Sequence, residues 1–352
     1  MFLYENKEYF EDIGLVNKTD LPWDILANKK LAVSGATGLL GSFLIDTLMT
    51  RNLQGLNCTI YALCRSKEKA MARFDRWTDS GNLVFLERDV NDPIDGQGLD
   101  EIDFVMHLAS NTHPIQYATD PIGTITANII GLKNMLDFAV EHKTKRFLFA
   151  SSCEIYGENR GDTELFDESY CGYIDPNTLR AGYPESKRCG EALCQAYQSQ
   201  KGIEVVIPRF SRTYGPTMKL TDSKAISQFI KKGVARQDIV LKSAGMQNYS
   251  YTYVADAVYG LLTVMLRGET GKAYNIADES SNITLKDLAK LVADYAGTNV
   301  VFEIPDSTEM KGYSKATKAL LNGNNLKELG WKPFYDINGG ITRTIRVLKA
   351  AI

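Results

Sequence analysis

The stretch from Leu31 to Gly41 limits the possible folds of this chain more than any other. Residues 31–35 (LAVSG) form a short apolar run ending on Gly35, the mark of a buried parallel strand. The run leads into Gly35-Ala36-Thr37-Gly38-Leu39-Leu40-Gly41, a GxxGxxG, and helical periodicity follows from Leu39 to Met49. Glycine permits a tight turn and a close approach of backbone to a pyrophosphate. The N–H groups and positive dipole end of the helix that follows suit the same anion. Alone such a motif is weak, but between a strand and a helix in the first βα unit it has the setting of a dinucleotide site. Gly35, Thr37, Gly38, Leu39 and Gly41 are then cofactor-binding positions; the alternative is a tight turn with no ligand.

Strand-like runs recur at 59–64, 83–87, 103–109, 146–151 and 203–207, with helical segments between most of them, notably 124–142 and 184–200. This alternation predicts an α/β fold, a Rossmann-type doubly wound parallel sheet with right-handed crossovers. After Pro208 the rhythm loosens: a helix near 223–235, a strand-like run at 249–254, helices at 256–267 and 284–297, and a C-terminal helix near 337–350. This half reads as a smaller α/β lobe. The expected division is an appended segment at 1–29, pinned by Leu21-Pro22-Trp23, a dinucleotide-binding domain at 30–207, and a substrate-binding lobe at 208–352 interleaved with late Rossmann elements near 249–267.

Composition removes several function classes. The net charge of -3 argues against a nucleic-acid binder. No uninterrupted apolar stretch approaches the roughly 18 residues of a membrane span. The six cysteines, at 58, 64, 153, 171, 189 and 194, form no CxxC, and with only three histidines no metal site is expected. The first residues, MFLYENKEYFEDIG, lack the basic and apolar regions of a secretory signal, so a cytoplasmic protein with reduced thiols is expected.

Where many NAD sites carry an acid for the ribose 2′-hydroxyl, the second strand ends Leu63-Cys64-Arg65-Ser66. Arg65 suits a 2′-phosphate, which tilts the cofactor expectation from NAD towards NADP. Asp89 and Val90, after the third strand, are placed beside the adenine.

Tyr183-Pro184-Glu185-Ser186-Lys187 opens a strong helical segment, and a spacing of four puts Tyr183 and Lys187 on one helix face. A nearby ammonium and a cationic nicotinamide would favour the phenolate, giving a base usable at neutral pH. Residues 150–157 (ASSCEIYG) follow the fifth strand at the carboxyl edge, where ligands bind in such sheets. Ser152 is placed as a hydrogen-bond donor to the reacting oxygen and Glu154 as an acid or base. Cys153 is an acid, a nucleophile or a packed thiol. Arg180, three residues before Tyr183, is placed to clamp a substrate carboxylate or hydroxyls.

Together these residues resemble the extended short-chain dehydrogenase/reductase family from residue 30 to about 350. Gly35–Gly41 matches its GxxGxxG, Tyr183 and Lys187 its YxxxK, and Ser152 its active-site Ser/Thr. His107-Leu108-Ala109-Ser110 resembles the strand end beside the nicotinamide, and Asn128 a helical asparagine that supports the site. Tyr214-Gly215-Pro216, Tyr253-Val254-Ala255-Asp256, Tyr274-Asn275-Ile276 and Leu329-Gly330-Trp331 resemble recurring landmarks of the family. The resemblance implies NAD or NADP, a nucleotide-diphosphate sugar, transient oxidation at sugar C4, and a homodimer through helices near 124–142 and 184–200.

Within the family, HLASNTHPIQYATDP and the run from Arg180 to Met218 are similar to UDP-glucuronate decarboxylases, and Glu154 falls where they and 4,6-dehydratases carry a catalytic glutamate. Four positions depart from that pattern. Arg212 replaces an asparagine expected near the substrate diphosphate, and Tyr249 replaces an arginine. The arginine ahead of the last signature has no match, leaving nearby Lys318 as a phosphate ligand. Cys153 replaces a serine. Ser152-Cys153-Glu154 also resembles UDP-apiose synthases, with Thr112 where their partner cysteine would stand. Lys224 and Tyr249, in the irregular segments 211–224 and 245–251, complete the expected substrate contacts. The first expectation is decarboxylation of a nucleotide-linked uronic acid. A 4,6-dehydratase or 4-epimerase comes next, then an NADPH-consuming reductase or a non-catalytic nucleotide-binding regulator.

Overall fold

The computed structural model describes residues 3–94, 98–99, 101–112, 114–303 and 317–350. Its strands are β1 (Lys30–Ser34), β2 (Thr59–Cys64), β3 (Leu83–Glu87), β4 (Phe104–His107), β5 (Arg146–Phe149), β6 (Ser151–Ser152), β7 (Glu204–Phe210), β8 (Arg212–Tyr214), β9 (Ile239–Leu241), β10 (Asn248–Tyr253), β11 (Ala273–Ile276), β12 (Asn282–Thr284), β13 (Val300–Phe302) and β14 (Lys318–Ala319). The helices are α1 (Lys7–Asn17), α2 (Leu39–Asn52), α3 (Lys67–Arg73), α4 (Pro114–Thr119), α5 (Pro121–Glu141), α6 (Gly182–Lys201), α7 (Ala225–Val234), α8 (Val254–Arg267), α9 (Leu285–Ala296), α10 (Asn324–Glu328) and α11 (Ile337–Ala350).

The main sheet runs β11-β7-β5-β4-β1-β2-β3, with β6 alongside the end of β7. Every pairing in it is parallel. Chain order reverses between β1 and β4, so the crevice beyond their carboxyl ends is the switch point at which such sheets bind ligands. The doubly wound Rossmann-type sheet expected from the strand–helix alternation is therefore present.

Local chemistry explains where elements begin and end. Asp120 caps α5 by accepting from the Gly123 N–H at 3.0 Å, with Pro121 opening the helix. Gly202, at φ +73°, closes α6 in the left-handed conformation. β4 stops at His107, two residues earlier than the apolar run suggested, because the Ser34 hydroxyl accepts the Leu108 and Ala109 N–H groups and turns the chain aside. The run expected at 146–151 splits into β5 and β6 at Ala150, whose N–H donates to the His107 carbonyl. β7 continues to Phe210 because β6 and β11 supply it with partners.

A second sheet, β12-β10-β14 with β8 on β10, and a parallel pair β9–β13 form the remainder. The run near 249 belongs to this second sheet as its central strand, whereas β11 returns to the main one. No helix among the described residues is long and apolar enough to cross a membrane.

Residues 3–29 pack closely against the body. Tyr9, Ile13 and Val16 of α1 are fully buried against the body. The Asp46 carboxylate of α2, also fully buried, accepts from Tyr4 Oη (2.8 Å), Tyr9 Oη (2.6 Å), Trp77 Nε1 (2.8 Å) and Arg73 Nη2 (2.7 Å). On its other face α1 offers Asp12 to Tyr253 Oη (2.7 Å), Tyr335 Oη (2.7 Å) and Arg343 Nε (3.0 Å). Trp23 is buried beneath the Arg51 guanidinium, 5.0 Å from its ring. Tyr4, Tyr9 and Asp12, among the acidic and aromatic residues that make this segment look peripheral in sequence, are thus tied into the body by hydrogen bonds. Asp46→Ala would strand four donors around an apolar gap and should cost about 3–5 kcal/mol in denaturant unfolding.

Candidate active site

The GxxGxxG loop lies at the switch point, and its glycines are required sterically. Gly35 has φ +68°, and a Cβ there would lie 2.8 Å from the Ala109 nitrogen and the Leu108 carbonyl carbon. At Gly41 a Cβ would come within 2.3 Å of the Gly35 carbonyl oxygen. No side-chain hydrogen bond caps the amino end of α2, and Gly38, Leu39 and Leu40 at that end line the cavity. A dinucleotide pyrophosphate fits such a cradle. Thr37 lies within the turn; Arg65 is exposed at the end of β2. Asp89 accepts from its own loop, the Asn91 N–H at 2.9 Å. The Val90 carbonyl accepts from Asn134 at 2.9 Å.

From the loop opens a cavity of about 740 Å³. Ser152, Cys153, Glu154, Arg180, Tyr183 and Lys187 share its inner wall, and Leu108 and Ser110 border them. The start of α6 is fixed there by a chain of buried bonds. Ser110 Oγ donates to Asn128 Oδ1 (2.8 Å), Asn128 Nδ2 to Ser186 Oγ (2.9 Å), and Ser186 Oγ to the Tyr183 carbonyl (2.8 Å). Lys187 Nζ donates to the Ala150 carbonyl at 2.8 Å and stands 4.6 Å from the Phe149 ring centre. Behind it the His107 Nδ1 lies 2.7 Å from Ser34 Oγ. Burial, and then the Lys187 charge, push that imidazole down to about 3, so it stays neutral.

Burial pushes the Tyr183 hydroxyl well above its ordinary value; a hydrogen bond from Ser152 pulls it down, Glu154 and Cys153 push it up, and Arg180 pulls it down. The Tyr183 ring stacks on Tyr117 at 4.9 Å, and the Arg180 guanidinium lies 4.7 Å from the Tyr117 centre. Burial would raise the Glu154 carboxyl, but Arg180 and Arg212 overcome this and hold it below its ordinary value. Arg180 Nη2 donates to Glu154 Oε2 at 2.7 Å, and Arg212 Nη2 is 3.7 Å from Glu154 Oε1. Burial raises the Cys153 thiol to about 11 despite Arg212, so of the readings open for it the thiolate nucleophile is disfavoured.

Lys224, Lys232, Lys242 and Glu303 also line the cavity, with Lys224 Nζ 3.4 Å from Thr112 Oγ1 and 3.3 Å from Asp222 Oδ2. Tyr249 lines the cavity on β10. One expectation is corrected. Lys318 is not among the residues lining the cavity; on edge strand β14, it pairs with Glu164 at 2.8 Å. Arg212 lines the cavity and lies against Cys153 and Glu154, on β8 where it runs beside β10. The sequence reading missed Tyr117, Lys232 and Lys242, whose spacing carries no motif.

Burial also brings Lys187 from its ordinary 10.5 down to about 7, partly opposed by Cys194 and Glu191. Between those values the unfolded chain holds a proton that the folded chain has released. The stability term from this group therefore improves as pH rises from 7 towards 10.5, and its cost is complete below 7. Lys187→Met should raise the Tm more at about pH 6 than at about pH 9, read by calorimetry.

The sequence model of the NAD dependent epimerase/dehydratase family matches residues 31–277. The chain is 31% identical over 321 residues to UDP-glucuronic acid decarboxylase 4 of Arabidopsis thaliana, covering 90% of this chain and 68% of that protein. Among solved structures, the DesIV dTDP-glucose 4,6-dehydratase of Streptomyces venezuelae with NAD and TYD superposes with a TM-score of 0.77 at 23% identity, over 91% of this chain and 97% of that one. A UDP-glucuronic acid 4-epimerase variant from Bacillus cereus, in complex with UDP-4-deoxy-4-fluoro-glucuronic acid and NAD, gives 0.79 at 19% identity, over 92% and 100%. These two share the fold. The family's sequence pattern runs from β1 through β11 and takes in both the glycine cradle and the Ser152–Tyr183–Lys187 wall, so the chain belongs to the NAD-dependent epimerase/dehydratase family.

Proposed function

We propose that this chain decarboxylates a nucleotide-linked uronic acid, with UDP-glucuronate as the first candidate, through a transient 4-keto sugar. The observation that carries the reading is the convergence of Ser152, Glu154 and Tyr183 on one cavity that Lys224, Lys232 and Lys242 also line. That lining suits a reacting sugar together with the diphosphate it is linked to. Likeness to a UDP-glucuronic acid decarboxylase over 90% of the chain supports the same choice.

Bound in the glycine cradle, the cofactor supplies a hydride acceptor at sugar C4 and then a donor, so it is recycled. Tyr183 takes the proton of the C4 hydroxyl as that hydrogen leaves. Lys187 holds the nicotinamide ribose and favours the tyrosinate. The 4-keto group makes the C5 carboxylate labile. When the C5–C6 bond breaks, carbon dioxide departs and the electron pair becomes an enolate with its charge on the C4 oxygen. Ser152 and Tyr183 donate hydrogen bonds there, and C5 then takes up a proton. A 4,6-dehydratase is the second reading, because Glu154 is held ionised and so is available as a base towards C5.

The cofactor form we propose is NADP. Arg65 closes β2 where an acid would select the 2′-hydroxyl, and it lies close enough to Lys219 to help lower that ammonium, after burial, with Lys69 adding to the same positive field. Residues 30–207 would serve the cofactor and 208–352 the substrate. A homodimer would use α5, which exposes Ile122, Ile125 and Ile130, together with α6. The six cysteines are free thiols, in keeping with a reducing compartment such as the cytoplasm.

Tyr183→Phe should lower turnover by roughly 100- to 10,000-fold while cofactor binding stays within a factor of about two. Mass spectrometry of UDP-glucuronate after incubation with the wild type should show loss of carbon dioxide. Loss of water from a hexose substrate would favour the dehydratase. Arg65→Asp should weaken NADP binding by about tenfold or more, with NAD little affected, in a fluorescence titration.

A further inference from the structure

The inner end of the cavity holds more positive charge than its own residues neutralise. One carboxylate, Glu154, faces two guanidiniums, Arg180 and Arg212. The other titratable groups against Arg212, namely Cys153, Tyr249 and Tyr251, are each pushed up by burial and stay neutral. Arg180 commits only Nη2 to Glu154, and its Nε and Nη1 are buried with no hydrogen-bond partner among the described residues. Arg212 lies over the Tyr249 ring at 3.4 Å, and its Nη1 reaches only the Cys153 sulfur, at 3.8 Å. Stacking on an aromatic face fixes a guanidinium's plane while leaving its edge free to bind an anion in a fork. Donors buried in this way are costly unless something meets them.

The geometry points to Arg212 as a specificity-determining residue that, together with Arg180, receives a second carboxylate, that of a uronic-acid sugar. This rests on the uronic-acid reading above and assigns the residues that select that substrate. Arg212 stands on β8 against Cys153 and Glu154, next to the groups placed at the reacting sugar. Lys224 before α7, Lys232 on it and Lys242 after β9 line the same cavity and are cations for the diphosphate. A neutral hexose would leave the excess charge unmet; a hexuronate meets it with the geometry guanidinium groups bind best.

The test is calorimetric binding of UDP-glucuronate, UDP-glucose and UDP to cofactor-loaded protein, in a Tyr183→Phe background to prevent turnover. With Arg212 intact, UDP-glucuronate should bind more tightly than UDP-glucose. Arg212→Gln should weaken UDP-glucuronate on the order of 10- to 100-fold, leaving UDP and UDP-glucose within about threefold. Arg212→Lys keeps the charge but loses the fork. It should show a smaller loss, again confined to UDP-glucuronate, and it decides the matter if the glutamine variant fails to fold. Equal weakening of all three ligands would assign Arg212 to the diphosphate and overturn the inference. Unchanged affinity for UDP-glucuronate, or no preference over UDP-glucose with Arg212 intact, would overturn it too. The proposed reaction fails separately: an enzyme that selects UDP-glucuronate through Arg212 but returns it with unchanged mass has the specificity without the decarboxylation.

Discussion

The buried amide of Asn128 is the joint on which the site depends. One side of it receives the Ser110 hydroxyl from the loop after β4, and the other donates to Ser186 on α6, which in turn holds the Tyr183 carbonyl. An amide with both its donor and acceptor used inside the protein cannot rotate without losing two bonds to water-free surroundings. The edge of the sheet that receives the cofactor and the helix that carries Tyr183 and Lys187 are therefore set in one register. Glu191 extends the same logic further along α6. It takes both arms of Arg209 on β7, at 3.0 and 2.7 Å, and accepts from Ser151.

Most of the fold was legible in the sequence because buried parallel strands and their crossover helices write themselves in apolar runs and glycine turns. The run at 59–64 and the one at 83–87 are β2 and β3 without adjustment. Where boundaries moved, a hydrogen bond outside the periodic pattern moved them, as Ser34 does for β4. The second sheet was harder to read. β8, β12 and β14 have two or three residues each, too few for alternation to register, and β10 gains its partners from segments 30 to 70 residues away.

The site divides in the same way. Glycines and a YxxxK pair are local in sequence, so Gly35, Gly38, Gly41, Tyr183 and Lys187 could be picked out from spacing. Arg212, Lys232 and Lys242 could not be placed, since the direction of a side chain on a short strand or at a helix end is set by tertiary neighbours. Arg212 in particular is aimed by Tyr249, a residue 37 positions on, across the Tyr251–Arg212 pairing. Three of the chain's departures from the decarboxylase pattern, Cys153, Arg212 and Tyr249, are thus adjacent in space in one cavity.

The clasp around α1 bears on how the protein is made. Asp12 meets Arg343 across a separation of 331 residues and Tyr335 across 323. During synthesis this helix emerges long before the strand and helix that bury its second face. Until they arrive, Asp12 lacks the hydroxyls and the guanidinium that meet its carboxylate, while Tyr9 on the other face already has Asp46 of α2 within reach. Contacts of such span are slow to close. The two faces of one helix are therefore finished at different times, the α2 side early and the Asp12 side late.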